Sequence, residues 1–371
     1  MPAENTRLHN MALVLLLRRR RRLRRMKRQS RRFGVHPIHQ LRTTYGEYYH
    51  LYQELKEHPD KFYNYMRMQK STFDYLLSLV HDSLLKHSNR EPICPEQRLV
   101  ITVRYLATGQ TFADLNKSFR CGESTIGGDR GIVVQTCLAL KEALLKDGFM
   151  PTPSTPDDWR IVAADFWTRC HFPNFVSECV ACNPGCGVWD GEHCYVRAPP
   201  GSHSDNYNFK GRFSINLMAL VDSFCNFLFV DVGSKGSNCD AYVFNTCPLA
   251  LKLKNGSINF PPDADLPGTS TRVPYVWLVD GGFPMLDHIV RPFPQKALSR
   301  LHRILNARLS HCRRCVECSF GILCAKWRVL LSTIEVRETF AEYFWSPIGQ
   351  ELWQWKMAQM DNPHEATIDE K

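Results

Sequence analysis

Apolar residues recur at a three-and-four spacing through Leu301, Ile304, Leu305, Leu309, Cys312, Val316, Phe320, Leu323 and Trp327. Only a helix with one buried stripe satisfies that period, so the spacing predicts a long core helix over residues 303–327. The same period runs through residues 45–85, is interrupted near Pro59 and is capped again at Ser71 or Thr72. A third helix is expected from Pro95 to just before Gly109. Residues 112–119 and a helix from Ser124, joined by a tight turn at 121–123, have the proportions of a helix-turn-helix. Many helical hairpins that only pack look alike, and Gly127, Gly128 and Gly131 weaken the end that would read bases.

The second half of the chain alternates. Residues 188–197 read as a strand and 212–221 with 227–232 as a hairpin around 222–226. Residues 240–254 read as a helix, 261–270 as a Pro-rich loop and 275–279 as a buried strand, before the long helix. Strand, strand, strand, helix, strand, helix is an α/β order with a mixed sheet, the order of an RNase H-like fold. The prolines and aspartates of PTPSTPDD at 151–158 mark the linker between the halves, with a helix at 159–167 after it. The expected division is a basic arm (1–34), a helical unit with the helix-turn-helix-like segment (35–150), a linker and helix (151–172), an α/β catalytic unit (173–336) and a tail (337–371).

Charge changes this picture in one place. The 371 residues carry a formal net charge of +10 from 47 basic and 37 acidic residues. Eleven of the basic residues fall in 18–32, among them Arg18, Arg19, Arg20, Arg21, Arg22, Arg24 and Arg25, so the rest of the chain is close to neutral. That run reads as a nuclear-import signal or a phosphate-binding arm, or else as a solvated tail. The apolar stretch 11–17 precedes the arginines, the reverse of a secretory signal. No stretch has the roughly 18 apolar residues of a membrane span. A nuclear protein, present also in the cytoplasm or not, and without membrane attachment is expected. The 15 cysteines are then expected as reduced thiols.

The candidate chemistry is acidic. Asp190 closes a strand-like run in GVWDGEH, and Asp280 follows a buried one in PYVWLVDGG. Glu317 lies at the margin of the long helix's buried stripe, with Gly321 leaving a clearing one turn on and Arg314 one turn before. Three oxygen donors from three elements suit Mg²⁺ or Mn²⁺, and a pair of such ions can drive phosphodiester cleavage. A surface Glu317 paired with Arg314 is the plain alternative. Arg197, Lys210 and Arg314 are candidate phosphate contacts or simple surface charges. His193 orients a ligand, meets phosphate or is structural. Cys179, Cys182 and Cys186, or Cys312, Cys315 and Cys318, have CxxC-like spacing, but no second CxxC lies at finger distance.

With the acids placed, the sequence resembles the PIF/Harbinger family of DDE transposases and the nucleases derived from them. The match is carried by WDGEH (189–193), APP (198–200), YNFKGRFSINLMALVD (207–222), VDVGSKGSNCDAYVF (230–244), LVDGGFP (278–284) and NARLSHCRRCVECSFGILCAKWRVL (306–330). Upstream it continues through GEYYHLYQELKEHPDKFYNYMRM, YLATG and FADLNKSFRCGEST. The resemblance implies an RNase H-like fold, a catalytic triad at Asp190, Asp280 and Glu317, and Asp240 as a further metal ligand. Asp240 is otherwise a helix cap. It implies a divalent-metal-dependent DNA endonuclease working by a two-metal mechanism, with strand transfer in a full transposase and a separate DNA-binding protein as partner. A catalytically inactive DNA- or protein-binding descendant is the other reading. The insertion SECVACNPGC before the first strand and the sequence after Val336 depart from the family pattern.

Overall fold

The computed structural model describes residues 34–87, 91–128, 130–148, 152–170, 185–198, 202, 204–266, 269–296 and 298–334. The arginine run, the Cys-rich stretch 177–184 and the tail lie outside the described residues.

The first half is helical. Two single-turn helices, α1 (Pro37–Gln40) and α2 (Arg42–Tyr45), lead into α3 (Leu51–Leu55), α4 (Pro59–Met66) and α5 (Lys70–Leu84). Pro59 opens α4 at a position where its missing N–H costs nothing. The central element is α6 (Pro95–Thr108), which buries ten of its residues and stops at Gly109 in the left-handed conformation. Around it pack α7 (Phe112–Phe119), α8 (Glu123–Gly127) and α9 (Ile132–Lys146). Tyr52, Phe62, Phe73, Leu99, Phe119 and Ile126 form the heart of this core.

The helix expected from Ser124 is instead a five-residue helix, broken at Gly128 before α9 begins. The glycines are packing devices here. A Cβ on Gly127 would sit 2.2 Å from the Phe112 ring, so glycine lets α8 lie directly against α7.

The second half starts with α10 (Pro156–Cys170) and then builds a mixed sheet from β1 (Gly185–Tyr195), β2 (Ser214–Val221) and β3 (Phe227–Lys235). The helices α11 (Asp240–Thr246) and α12 (Pro248–Lys254) follow. They were expected as one helix. Pro248 has no N–H to donate and forces Cys247 to be extended, so the chain stops and restarts there. A small hairpin, β4 (Ala264–Asp265) with β5 (Arg272–Val273), precedes β6 (Val276–Leu278) and β7 (Ile289–Val290).

The sheet order is β3-β2-β1-β6-β7, with β1–β2 and β2–β3 antiparallel and β1–β6 and β6–β7 parallel. β7 was not expected from sequence. Trp159, Trp189, Trp277, Phe244 and Phe283 fill one face of the sheet beneath α11 and α12. Val188, Ala219, Leu278, Leu309, Cys312, Val316 and Phe320 fill the other, beneath α10 and α13 (Arg300–Lys326).

The long helix departs from expectation at its start and near its end. Leu301 and Ile304 are 76% and 50% exposed, so the buried stripe begins later than the apolar spacing implied. Nothing lies within 4 Å of where a Gly321 side chain would be, so no close approach requires that glycine. After α13 a 3-10 turn, Arg328–Leu331, carries Val329 into the helical half's core, with Trp327, Leu330 and Ile334 packed against it. The end of the expected catalytic unit is thus part of the helical half's packing.

Candidate active site

Asp190 was expected at a strand end and instead lies in the middle of β1, which runs on to Tyr195. Parallel pairing sets Val188 beside Leu278; Asp190 lies two residues further on in β1, and Asp280 two residues past the end of β6. Adjacent strands are about 4.8 Å apart, so this register brings two carboxylates together from ninety residues apart. Asp240, the first residue of α11, comes from the other side. A Cβ on Gly191 would be 2.4 Å from its Oδ1, so the glycine after Asp190 makes room for a second carboxylate against β1.

Backbone donors fix two of these groups. Gly191 N–H donates to Asp190 Oδ1 at 2.9 Å, and Gly282 N–H donates to Asp280 Oδ1 at 2.8 Å. Asp190 Oδ2 accepts from Arg313 Nη2 at 2.9 Å in an ion pair whose side chains are 16% and 22% exposed.

The electrostatics report crowding. Burial pushes the Asp190 carboxyl above the usual range, opposed by Arg313 and the Gly191 N–H and reinforced by Asp280. Burial likewise raises Asp240, with Asp190 and Asp280 adding to it. The Asp280 charge thus disfavours ionisation of Asp190, and those of Asp190 and Asp280 disfavour ionisation of Asp240.

Glu317 is exposed, one turn beyond Arg313 on α13. Arg313, Glu317 and Cys324 share one helix stripe. Its Arg313 end meets β1 through the ion pair with Asp190. Arg314, singled out from sequence, is exposed, and Arg313 is the arginine at the acids.

Among the described residues, no three acidic, histidine or cysteine side chains stand close enough to hold an ion between them. The donor chemistry nevertheless suits a hard divalent cation, being all carboxylate oxygen and short of positive charge. Asp280 Oδ2 has no hydrogen-bond partner among the described residues. The guanidinium of Arg313 takes the cation's part beside Asp190.

The remaining candidates lie further along. Arg197 and Lys210 are both exposed. His193 shares a hydrogen bond with Ser214 Oγ at 3.0 Å, and burial, then Lys210, holds it below the usual histidine range. Among the described residues the cysteines do not gather as a zinc site. Cys186 is buried and donates to the Trp159 carbonyl, Cys312 is buried and Cys318 is exposed, while Cys179 and Cys182 lie outside the described residues. No helix among the described residues is long and apolar enough to cross a membrane.

The five-stranded mixed sheet carries Asp190 on its central strand and leads, two residues past the end of the adjoining parallel strand β6, to Asp280. Residues 189–346 match the DDE superfamily endonuclease family, so the chain carries a DDE endonuclease domain of RNase H-like fold. Over 282 residues it is also 25% identical to "Protein ALP1-like" of Arabidopsis thaliana, a match covering 73% of this chain and 64% of that protein. The chain is thus similar to DDE superfamily endonucleases over residues 189–346 and to that plant protein over 282 residues. It spans just under two thirds of that relative's length. No solved structure matches it.

Proposed function

We propose that this protein is a transposase-derived DNA endonuclease in which Asp190, Asp280 and Glu317 are the catalytic acids and Asp240 is a further metal ligand. The observation that carries the reading is the register that sets Asp190 beside Asp280, with Asp240 against Gly191. Asp190 and Asp280, held by backbone N–H groups, would hold Mg²⁺ or Mn²⁺ with Asp240 and Glu317. The bound cations would supply an activated water and stabilise the leaving oxygen. The two N–H donors keep the carboxylates oriented, so little reorganisation is needed when the phosphodiester arrives.

In this reading Arg313 neutralises Asp190 until a cation replaces it. Arg197, Lys210 and Arg314 contact phosphates, as do the arginines of 18–25, which also direct the protein to the nucleus. The helical unit 35–150 binds DNA or the separate protein that brings it to DNA.

The exposed Glu317 and the arginine among the acids favour a second reading, a DNA- or protein-binding descendant without catalysis. Purified protein incubated with supercoiled plasmid and Mn²⁺ separates the two. Nicking by wild type, lost in Asp190→Asn and Asp280→Asn variants that still melt cooperatively, supports the nuclease. A wild-type protein that leaves the plasmid closed overturns it.

A further inference from the structure

We infer that the loop 204–213, between β1 and β2, is a stacking platform for an unpaired DNA base, with Phe209 as its face and Lys210 and Arg212 on the flanking phosphates. The inference rests on the proposal that DNA is the substrate, and goes on to say which part of the DNA is held and how.

Phe209 is 85% exposed, more than any other large hydrophobic residue among those described. Such exposure ordinarily marks a floppy loop, but this loop is tied down. Asn208, 3% exposed, accepts from the Lys210 and Arg212 N–H groups through its Oδ1, at 3.0 and 3.1 Å. Its Nδ2 donates to the buried Ser214 Oγ, which in turn bonds His193. Asn208 N–H also donates to the Arg212 carbonyl at 2.8 Å, and Gly211, at φ +74°, closes the turn.

At the loop's base, Asp205 is anchored by Lys235 Nζ at 2.7 Å and by the Ser237 hydroxyl. One edge of the Phe209 ring rests on His193, with centroids 5.5 Å apart. The ring is thus presented to solvent on a preformed scaffold, with little ordering entropy left to lose on binding.

The surroundings select the ligand. Lys210 Nζ lies 5.5 Å from the Phe209 centroid, and the Arg212 guanidinium covers Tyr195. Among the described residues neither cation is in an ion pair, while the loop's acid, Asp205, is already matched by Lys235. A flat apolar face beside Lys210, with Arg212 in the same loop and neither in an ion pair among the described residues, fits a base with its phosphates, as single-strand binding sites combine stacking with positive charge. An apolar protein partner would leave both charges uncompensated. His193 is three residues from Asp190 along β1, about 10 Å, and strand alternation puts its side chain on the face of Trp189 and Gly191, where Asp240 lies.

The test is binding of fluorescein-labelled 15-mers, single-stranded and duplex, by fluorescence anisotropy in EDTA, where cleavage cannot occur. Phe209→Ala is expected to weaken single-strand binding about tenfold and leave duplex binding within twofold. Phe209→Trp is expected to restore the affinity. An oligonucleotide of abasic sugars should bind wild type and Phe209→Ala alike. Lys210→Ala/Arg212→Ala should reduce the salt slope of single-strand binding by about 1.4.

Wild-type binding that Phe209→Ala leaves unchanged, or weakens equally for both DNAs, overturns the platform and leaves the nuclease proposal standing. Wild type that binds neither DNA overturns both.

Discussion

The two halves of the molecule treat a half-buried carboxylate in opposite ways. In the helical half Glu96, on α6, receives the Tyr48 hydroxyl at 2.6 Å, the Tyr52 hydroxyl at 3.1 Å and Lys56 Nζ at 2.6 Å. Burial by itself would raise its pKa, but these three partners outweigh burial and leave it below the usual range. In the sheet half, Asp190 and Asp240 are both raised, since burial is compounded by their own neighbours and opposed chiefly by one arginine. The first arrangement strengthens the fold, and the second loads it with unfavourable charge. In the proposed function that load is what draws a cation to the site.

Arg313→Ala should break this contrast most severely. Removing one partner of a fully buried ion pair costs about 3–5 kcal/mol, and the residual exposure of this pair reduces that to about 2 kcal/mol. Urea denaturation at pH 7 measures it. Adding Asp190→Asn to Arg313→Ala should recover most of the loss, because no charge is then left alone. Mn²⁺ should raise the melting temperature of Arg313→Ala more than that of wild type, as the cation takes the place the guanidinium left. Equal stability of Arg313→Ala and wild type would remove the distinction between the halves.

Glu96→Gln probes the other side. Losing the charge-assisted bonds from Lys56 and two tyrosines should cost about 1.5 kcal/mol at pH 7. A folded pKa below the unfolded one means the stabilisation is complete above the unfolded value of about 4.3. It is lost as the pH falls through the folded value. The gap between wild type and Glu96→Gln should therefore close in acid, and a gap independent of pH would mean that packing, not charge, sets the cost.

What could be read from the sequence follows from how local each signal is. An acid directly after a buried apolar run marks a strand edge, so Asp280 could be picked out without the fold. Three-and-four spacing located the long helix, but Leu301 and Ile304 continue the pattern after the packing has ended. Arg313 and Arg314 both neighbour Glu317 on a helix, and only the position of α13 on the sheet decides which meets Asp190. Phe209 stands in a run of aromatic and polar residues where no periodicity separates an exposed ring from a buried one. β7 is two residues among prolines, too short to carry a pattern. The break at Pro248, by contrast, could have been read, since the residue before a proline avoids helical backbone.

Asp240→Asn gives the smallest and most discriminating effect, because its sign is opposite to that of the other two. The substitution removes a charge that Asp190 and Asp280 both oppose, and forgoes the roughly 0.3–1 kcal/mol an acid gains in the first turn of a helix. Repulsion between charges several ångströms apart in a half-buried site exceeds that gain, so the variant should be more stable than wild type by about 1 kcal/mol at pH 7. The folded pKa of Asp240 lies above the unfolded one, so wild type falls behind only as the pH rises past about 4. Below that pH both states of wild type are protonated at this position and the two proteins should melt together. Saturating Mn²⁺ at pH 7 should reverse the order, since the cation turns the mutual repulsion of the aspartates into shared ligation. A variant that is less stable than wild type at every pH and indifferent to Mn²⁺ would make Asp240 a favourable acid of the first helical turn, after the Cys239 cap, and nothing more.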